Sequence, residues 1–189
     1  DTFAYRNPYP EDVLHVYEVD HPDTQAWKRA RLAEAGISIP PTLTFSPVDF
    51  ERETLEEGLR RAGFADGERA FFSWLGVTPY LTENAVNSTL QYVASLPVES
   101  GIVFDYAITP SLLNPIQRLA FDALARRVAL AGEPFQCFFD PGLLQTRLRD
   151  MGFGLIEDLG PDELNARYFQ GRTDGLQVGS LGHVMNARV

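Results

Sequence analysis

Short apolar runs alternate with amphipathic stretches along this chain. The run at residues 13–20 is apolar and β-branched and ends in acids, which predicts a buried strand with a polar carboxyl end. Next, Pro22 suits a first helical turn and Asp23 favours the positive end of a helix dipole. We therefore predict a helix over about residues 22–35, ended by Gly36.

The same alternation recurs about five times, with short connections. Further strands are predicted at 42–46, 70–77, 101–107, 153–159 and 182–189, and further helices at 52–62, 82–95, 115–131, 141–152 and from Pro161 onward. A regular alternation of strand and helix is typical of an α/β fold with a mostly parallel sheet and helices on both faces. We predict one such domain over residues 1–189.

The composition of the chain limits the classes of partner that we expect it to bind. With 16 Lys and Arg against 26 Asp and Glu, the net charge is −10, and such a surface repels a phosphate backbone, so we expect no nucleic acid partner. No apolar run approaches the roughly 20 residues of a membrane helix, and the first residues are unlike a signal peptide. Cys137 is the single cysteine, which fits a reducing cytoplasm. We expect a cytoplasmic protein that acts on a small molecule.

Acids at the end of the first strand are the most informative candidates for chemistry. Ligands of open α/β sheets bind at the carboxyl ends of strands, and a carboxylate there can accept both hydroxyls of a ribose. Strand alternation places Glu18 and Asp20 on the same face. The alternative is that these acids only end a strand and cap a helix.

Two later stretches offer further ligand contacts. Asp49 follows the next strand and could accept the exocyclic amine of adenine, with Phe50 beside the ring; the alternative is a helix-start acid and a core Phe. Trp74 and Tyr80 could wall a ligand pocket, or they could equally be core and interface residues. Together with Tyr106 they could build an apolar pocket that excludes water.

Several reaction classes lack their signatures. The three histidines, His15, His21 and His183, have no metal-ligand spacing, so we expect no metal site. Cys137 lies in a Phe-rich run and is expected to be buried and inert. The sequence contains neither a Gly-x-Ser-x-Gly elbow nor a glycine-rich phosphate loop.

In combination these motifs resemble the leucine carboxyl methyltransferase-like family, in particular its bacterial, actinobacterial branch of S-adenosylmethionine-dependent methyltransferases. The resemblance rests on residues 1–6, 18–22, 49–50, 139–141, 157–161, 164–169 and 172–176. It implies a class I, Rossmann-like sheet of seven strands with the last antiparallel, and S-adenosylmethionine as cofactor. It further implies a ribose contact at Asp20 and adenine contacts at Asp49 and Phe50. The full expected cofactor set is Asp1, Glu18, Asp20, Asp49, Phe50, Trp74 and Leu75.

The sequence departs from the family pattern in two ways. In the family, helices, a central strand and a Gly-x-Gly loop precede the residue that matches Asp1, so we expect the native protein to be longer or another segment to fill that gap. Relatives often carry a Glu where Leu75 stands, so one cofactor contact is expected to be lost or replaced.

The reaction expected from the resemblance is O-methylation of a small metabolite or a carboxylate, with no catalytic residue assigned. The sulfonium methyl is already activated, so positioning the acceptor can supply much of the rate, on the order of 7–11 kcal/mol. Two alternatives remain open: a degenerate methyltransferase fold that acts as a binding module, and a nicotinamide-dependent oxidoreductase, whose dinucleotide ribose would also suit an acid at the strand end.

Overall fold

The computed structural model describes residues 2–10 and 12–189, and the chain divides into two compact units. The first unit ends at Asp66 and the second runs from Gly67 to Val189. Each unit has its own sheet, with two strands in the first and four in the second.

The first unit is a parallel strand pair with a helix against each face. Strands β1 (Val16–Asp20) and β2 (Leu43–Pro47) pair in register from Val16–Leu43 to Asp20–Pro47. Helix α1 (Pro22–Glu34) lies on the face of Phe45, whose ring is 5.3 Å from the Arg29 guanidinium. Helix α2 (Leu55–Arg61) lies on the opposite face, where the Ser46 hydroxyl donates to the Gly58 carbonyl at 3.0 Å.

Both helices of the first unit begin at side-chain caps. The His21 imidazole caps α1 by accepting a hydrogen bond from the Asp23 amide. Pro22 is the first residue of the helix, as its position in the sequence predicts. Thr54 and Glu57 form a reciprocal capping box, which explains why α2 begins at Leu55 and not at the predicted residue 52.

The second unit has strand order β3-β4-β6-β5. The strands are β3 (Phe71–Trp74), β4 (Gly101–Ala107), β5 (Leu155–Leu159) and β6 (Gly182–Arg188). Strand β3 is parallel to β4, whereas β6 is antiparallel to both of its neighbours, β4 and β5. The first three strands therefore share one direction and only the last is reversed, which confirms the predicted antiparallel final strand.

Four helices complete the second unit. They are α3 (Glu83–Ala94), α4 (Pro115–Leu130), α5 (Pro141–Met151) and α6 (Pro161–Tyr168), with short 3₁₀ helices at Thr78–Tyr80 and Pro110–Leu112. Helix α5 ends at Gly152, whose φ of 109° requires glycine. The strand predicted over residues 70–77 is shorter in the structure, since β3 ends at Trp74 and the Thr78–Tyr80 turn follows.

The core of the second unit lies between its sheet and helices α3 and α5. Alternate residues of β4 are buried against alternate residues of β6, and both face the buried leucines and valines of the two helices; the members are Ile102, Phe104, Tyr106, Met185, Ala187, Val86, Leu90, Val93, Leu144 and Leu148. Removing this much apolar surface from water, at about 25 cal/mol per Å², is the main term that stabilises the unit.

Helix α4 differs from its predicted amphipathic pattern. Among its described residues only Phe121 is buried, and its ring packs against Phe135 and Phe138. Leu119 is 73% exposed and Leu124 is 43% exposed, so these apolar positions do not enter the core.

Candidate functional site

The carboxyl ends of β1 and β2 form the candidate site of the first unit. The Val48 amide donates to the Asp20 carbonyl at 2.9 Å, which extends the strand pairing by one step and holds Asp49 beside the tip of β1. The Asp20 carboxylate is half-buried and its Oδ1 accepts from the His21 amide at 2.8 Å. Two acids that are 29 positions apart in sequence are therefore neighbours at one sheet edge.

Charged neighbours and a backbone hydrogen bond orient the Asp49 side chain. Its side chain is 19% exposed, and its Oδ2 lies 3.3 Å from Arg52 Nε and 4.0 Å from His21 Nε2. Its Oδ1 accepts from the Glu51 amide at 3.0 Å. The carboxylate is thus oriented by fixed partners, with Phe50 half-buried next to it.

The hydrogen-bonding capacity of these side chains can be compared with the ribose and adenine of the predicted nucleoside. A carboxylate has about four acceptor positions, and one hydrogen bond from the His21 amide leaves Asp20 able to accept from two vicinal hydroxyls. Asp49 likewise retains acceptor capacity for an exocyclic amine, and Phe50 supplies apolar surface beside it. The acceptor capacity of Asp20 and Asp49 is chemically compatible with the predicted ligand, and the contacts at Asp20, Asp49 and Phe50 stay predictions.

Glu18 is on the face of β1 that α1 covers. Its carboxylate pairs with Lys28, and its side chain is only 12% exposed. The second oxygen, Oε2, is buried without a hydrogen-bond partner among the described residues, as is the Tyr5 hydroxyl. Burial and the nearby Glu18 charge raise the pKa of Tyr5. The structure does not bring Glu18 to Asp49, and its cofactor contact stays a prediction.

Two further predicted cofactor residues, Trp74 and Leu75, belong to the second unit. Trp74 ends β3 with its ring centroid 6.3 Å from that of Phe104, and Leu75 is 55% exposed directly after it. The next amide, of Gly76, donates to Asp105 Oδ1 at 2.7 Å, so Asp105 ties the ends of β3 and β4 together. Asp1 lies outside the described residues.

The structure places Tyr106 in the core of the second unit. Its ring is 2% exposed and packs against Phe104, Phe139 and His183, because the β4 alternation turns it into the core. Burial, followed by the Asp158 hydrogen bond, raises the pKa of its hydroxyl far above the ordinary range. Tyr80 instead lies against Phe135, 5.6 Å between ring centroids.

Sequence reasoning missed a polar cluster at the carboxyl ends of β4 and β5. The Tyr106 hydroxyl donates to Asp158 Oδ2 at 2.8 Å, and His183 Nδ1 lies 3.1 Å from Asp158 Oδ1. Asp158 and His183 are only 9% and 15% exposed. The three residues are far apart in sequence, so sequence reasoning did not group them. Because β6 runs antiparallel to β4 and β5, its start lies at the same edge of the sheet as the ends of those two strands. A strand-end Tyr, a strand-end Asp and a strand-start His are therefore compatible with one cluster.

Other kinds of site were searched for over the described ranges. Within residues 2–10 and 12–189, no group of three or more His, Cys, Asp or Glu side chains could hold a metal ion. Among the same residues, no helix is both long and apolar enough to cross a bilayer. Cys137 is buried, and burial raises the pKa of its thiol to about 11, which agrees with the expected inert cysteine.

Comparison with known proteins shows similarity to methyltransferases. The sequence model of leucine carboxyl methyltransferase matches residues 1–94. The chain is 34% identical over 188 residues, 99% of its length, to the Bacillus subtilis (strain 168) protein named "Putative S-adenosyl-L-methionine-dependent methyltransferase YktD". Over residues 1–94 the chain is similar to the leucine carboxyl methyltransferase family. It is also 30% identical over 128 residues, or 68% of the chain, to a Mycobacterium ulcerans protein of the same description. The chain spans 62% of the first relative and 40% of the second.

Solved structures establish the fold. The methyltransferase SibL in its apo form covers 93% of this chain and 43% of its own, with a TM-score of 0.55 and 15% identity. Magnesium protoporphyrin IX methyltransferase from Synechocystis covers 93% of this chain and 64% of its own, with a TM-score of 0.52 and 13% identity. The fold is that of class I methyltransferases, a Rossmann-like α/β architecture, as predicted.

Proposed function

We propose that the protein is an S-adenosylmethionine-dependent methyltransferase that methylates an oxygen of a small molecule. The observation that carries the proposal is the hydrogen-bonded junction of Asp20 and Val48, which places the Asp20 and Asp49 carboxylates at neighbouring strand ends. The match of residues 1–94 to the leucine carboxyl methyltransferase model and the description of the Bacillus subtilis relative support the same cofactor.

The proposed reaction requires the residues of the chain mainly to bind and orient the reactants. S-adenosylmethionine supplies a methyl group that is already activated by its sulfonium. The residues of the first unit would bind the nucleoside, with Asp20 accepting from the ribose hydroxyls and Asp49 from the adenine amine. Orientation of the acceptor then accounts for much of the rate.

Calorimetry tests the cofactor. S-adenosylhomocysteine is titrated into the full-length protein, with NAD as the comparison ligand, because an acid at a strand end suits either ribose. We expect saturable heat from S-adenosylhomocysteine and none from NAD. Saturable NAD binding without S-adenosylhomocysteine binding would contradict the proposal and favour an oxidoreductase.

Turnover separates an enzyme from a binding module. S-adenosylmethionine carrying a labelled methyl group is incubated with the protein and with an extract of small metabolites, and the label is followed into the organic phase. We expect label transfer that requires the protein. Tight cofactor binding without any transfer would support the degenerate-fold alternative.

A further inference from the structure

Gln25 of α1 contacts the chain on both sides of the turn that carries Asp20. Its backbone amide donates to the His21 carbonyl at 2.9 Å, and its side-chain Nε2 donates to the Glu18 carbonyl at 2.9 Å. Glu18 precedes Asp20 by two residues and His21 follows it directly. One residue therefore fixes the backbone before and after the carboxylate that is proposed to bind the ribose.

The burial of Gln25 is unusual for a glutamine. Among the described residues of α1, Gln25 alone is buried, with 3% of its surface exposed. Glutamine is mostly found on protein surfaces, and burying its amide costs free energy unless the amide is hydrogen-bonded. An apolar side chain of similar length would pack at this position without that cost. The bond to the Glu18 carbonyl therefore explains why a polar side chain occupies it.

A second contact from α1 fixes the side chain of Glu18. Lys28, about one helical turn after Gln25, is the single lysine of the chain and pairs with the Glu18 carboxylate. The side chains of Lys28 and Glu18 are only 21% and 12% exposed. The Lys28 ammonium also lies 5.8 Å from the ring centroid of Tyr5, in the segment that precedes β1. The base of the turn is thus held through the Glu18 backbone by Gln25 and through the Glu18 side chain by Lys28.

We propose that Gln25 and Lys28 are positioning residues of the nucleoside site and that they act through Asp20. The inference rests on the proposed function, in which Asp20 accepts from the ribose. The two vicinal hydroxyls of a ribose are fixed relative to each other, so a carboxylate accepts from both only over a narrow range of orientations. The His21 amide already directs the Asp20 carboxylate by donating to its Oδ1 at 2.8 Å. Gln25 and Lys28 limit the movement of the backbone on which that geometry depends.

A double-mutant cycle on the affinity for S-adenosylhomocysteine tests the proposal. Gln25→Met removes the side-chain donor and keeps a buried side chain of similar length, whereas Asp20→Asn removes the charge of the acceptor. Calorimetry measures the affinities of the full-length wild type, both single variants and the double variant. Gln91→Met, at an exposed glutamine of α3, is the matched control and should leave the affinity unchanged. Urea denaturation of the same samples measures their free energies of unfolding.

The expected result is that the effect of Gln25 on binding depends on an intact Asp20. Gln25→Met should weaken binding about fivefold in the wild-type background and less than about twofold in the Asp20→Asn background, because residues that act through one contact are not additive. Its effect on the free energy of unfolding should be the same in both backgrounds, since that effect does not involve the ribose contact. Equal changes of affinity in both backgrounds, or an unchanged affinity in the wild-type background, would overturn the proposal.

A second cycle keeps the test independent of whether Gln25→Met folds. Lys28→Met is combined with Glu18→Gln, which removes the ion pair without leaving an unpaired buried charge. This pair of changes should show the same dependence on Asp20, and additive effects would again contradict the proposal. Wild-type binding of S-adenosylhomocysteine together with additive variants refutes the positioning role alone. An absence of wild-type binding refutes the proposed function and the positioning role with it.

Discussion

The Asp20 carbonyl accepts a hydrogen bond from the Val48 amide at 2.9 Å, one step beyond the last paired residues of β1 and β2. This bond keeps the chain after β2 parallel to the tip of β1 until Asp49. The His21 ring lies 4.0 Å from Asp49, and the His21 backbone amide donates to the Asp20 carboxylate. The nucleoside site proposed for the first unit is therefore built from backbone pairing, which is a rigid support for two functional side chains.

Removing the Tyr106 hydroxyl should destabilise the protein. A Tyr106→Phe change leaves one oxygen of the nearly buried Asp158 with only the long contact to Gln145. Hydrogen bonds to charged groups are worth about 1.5–3 kcal/mol, and we expect the free energy of unfolding to fall by that amount. Urea denaturation measures it, with Tyr9→Phe, at a residue 52% exposed, as the control that should change little. Equal stability of both variants would show that the cluster is not formed.

Alanine should be destabilising at one helical glycine and tolerated at another. A Cβ on Gly58 of α2 would lie 2.2 Å from Val48 Cγ2, so Gly58→Ala should lower stability by about 1–3 kcal/mol despite the better helix propensity of alanine. On Gly142 of α5 the nearest atom is 3.4 Å away, so Gly142→Ala should be neutral or stabilising by up to about 1 kcal/mol. Thermal unfolding compares the two, and a stabilised Gly58→Ala would contradict the packing of α2 on β2.

The pair of Glu53 and Arg61 should contribute to stability above the acid range. Hydrogen bonding to Arg61 lowers the pKa of Glu53 from its ordinary value of 4.5. Because the pKa of Glu53 is lower in the folded protein than in the unfolded chain, ionisation of Glu53 stabilises the fold. This contribution is complete above about pH 4.5 and is lost as the pH falls through the pKa of Glu53 in the folded protein. Glu53→Gln should cost up to about 1 kcal/mol at neutral pH, and the difference from wild type should shrink towards acid. Glu51→Gln, at an exposed acid, is the control, and a pH-independent difference would contradict the pair.

Local signals in the sequence were enough to predict most elements. Pro22 and Thr82 mark the starts of α1 and α3, and Gly152 ends α5, because caps and left-handed glycines act over a few residues. The antiparallel β6 followed from the family resemblance and not from the residues, since period-2 patterns do not encode strand direction.

The contacts that sequence analysis did not predict are mainly polar contacts between residues far apart in the chain. Strand alternation could not say that Glu18 pairs with Lys28 of α1, because that partner depends on where the helix packs. The Tyr106, Asp158 and His183 cluster joins three strands whose pairing is set by the tertiary fold. Helix α4 shows the reverse case: its apolar periodicity is clear, yet Leu119 stays exposed in the structure.

The affinity of S-adenosylhomocysteine for an Asp20→Asn variant tests the central claim most directly. Asp23→Asn is the matched control, because it makes the same charge change three residues away on a side chain that is 97% exposed. Calorimetry should show that Asp20→Asn weakens binding at least tenfold, about 1.4 kcal/mol, while Asp23→Asn leaves it unchanged. Equal affinities for wild type and Asp20→Asn would contradict the claim that the tip of β1 binds the ribose.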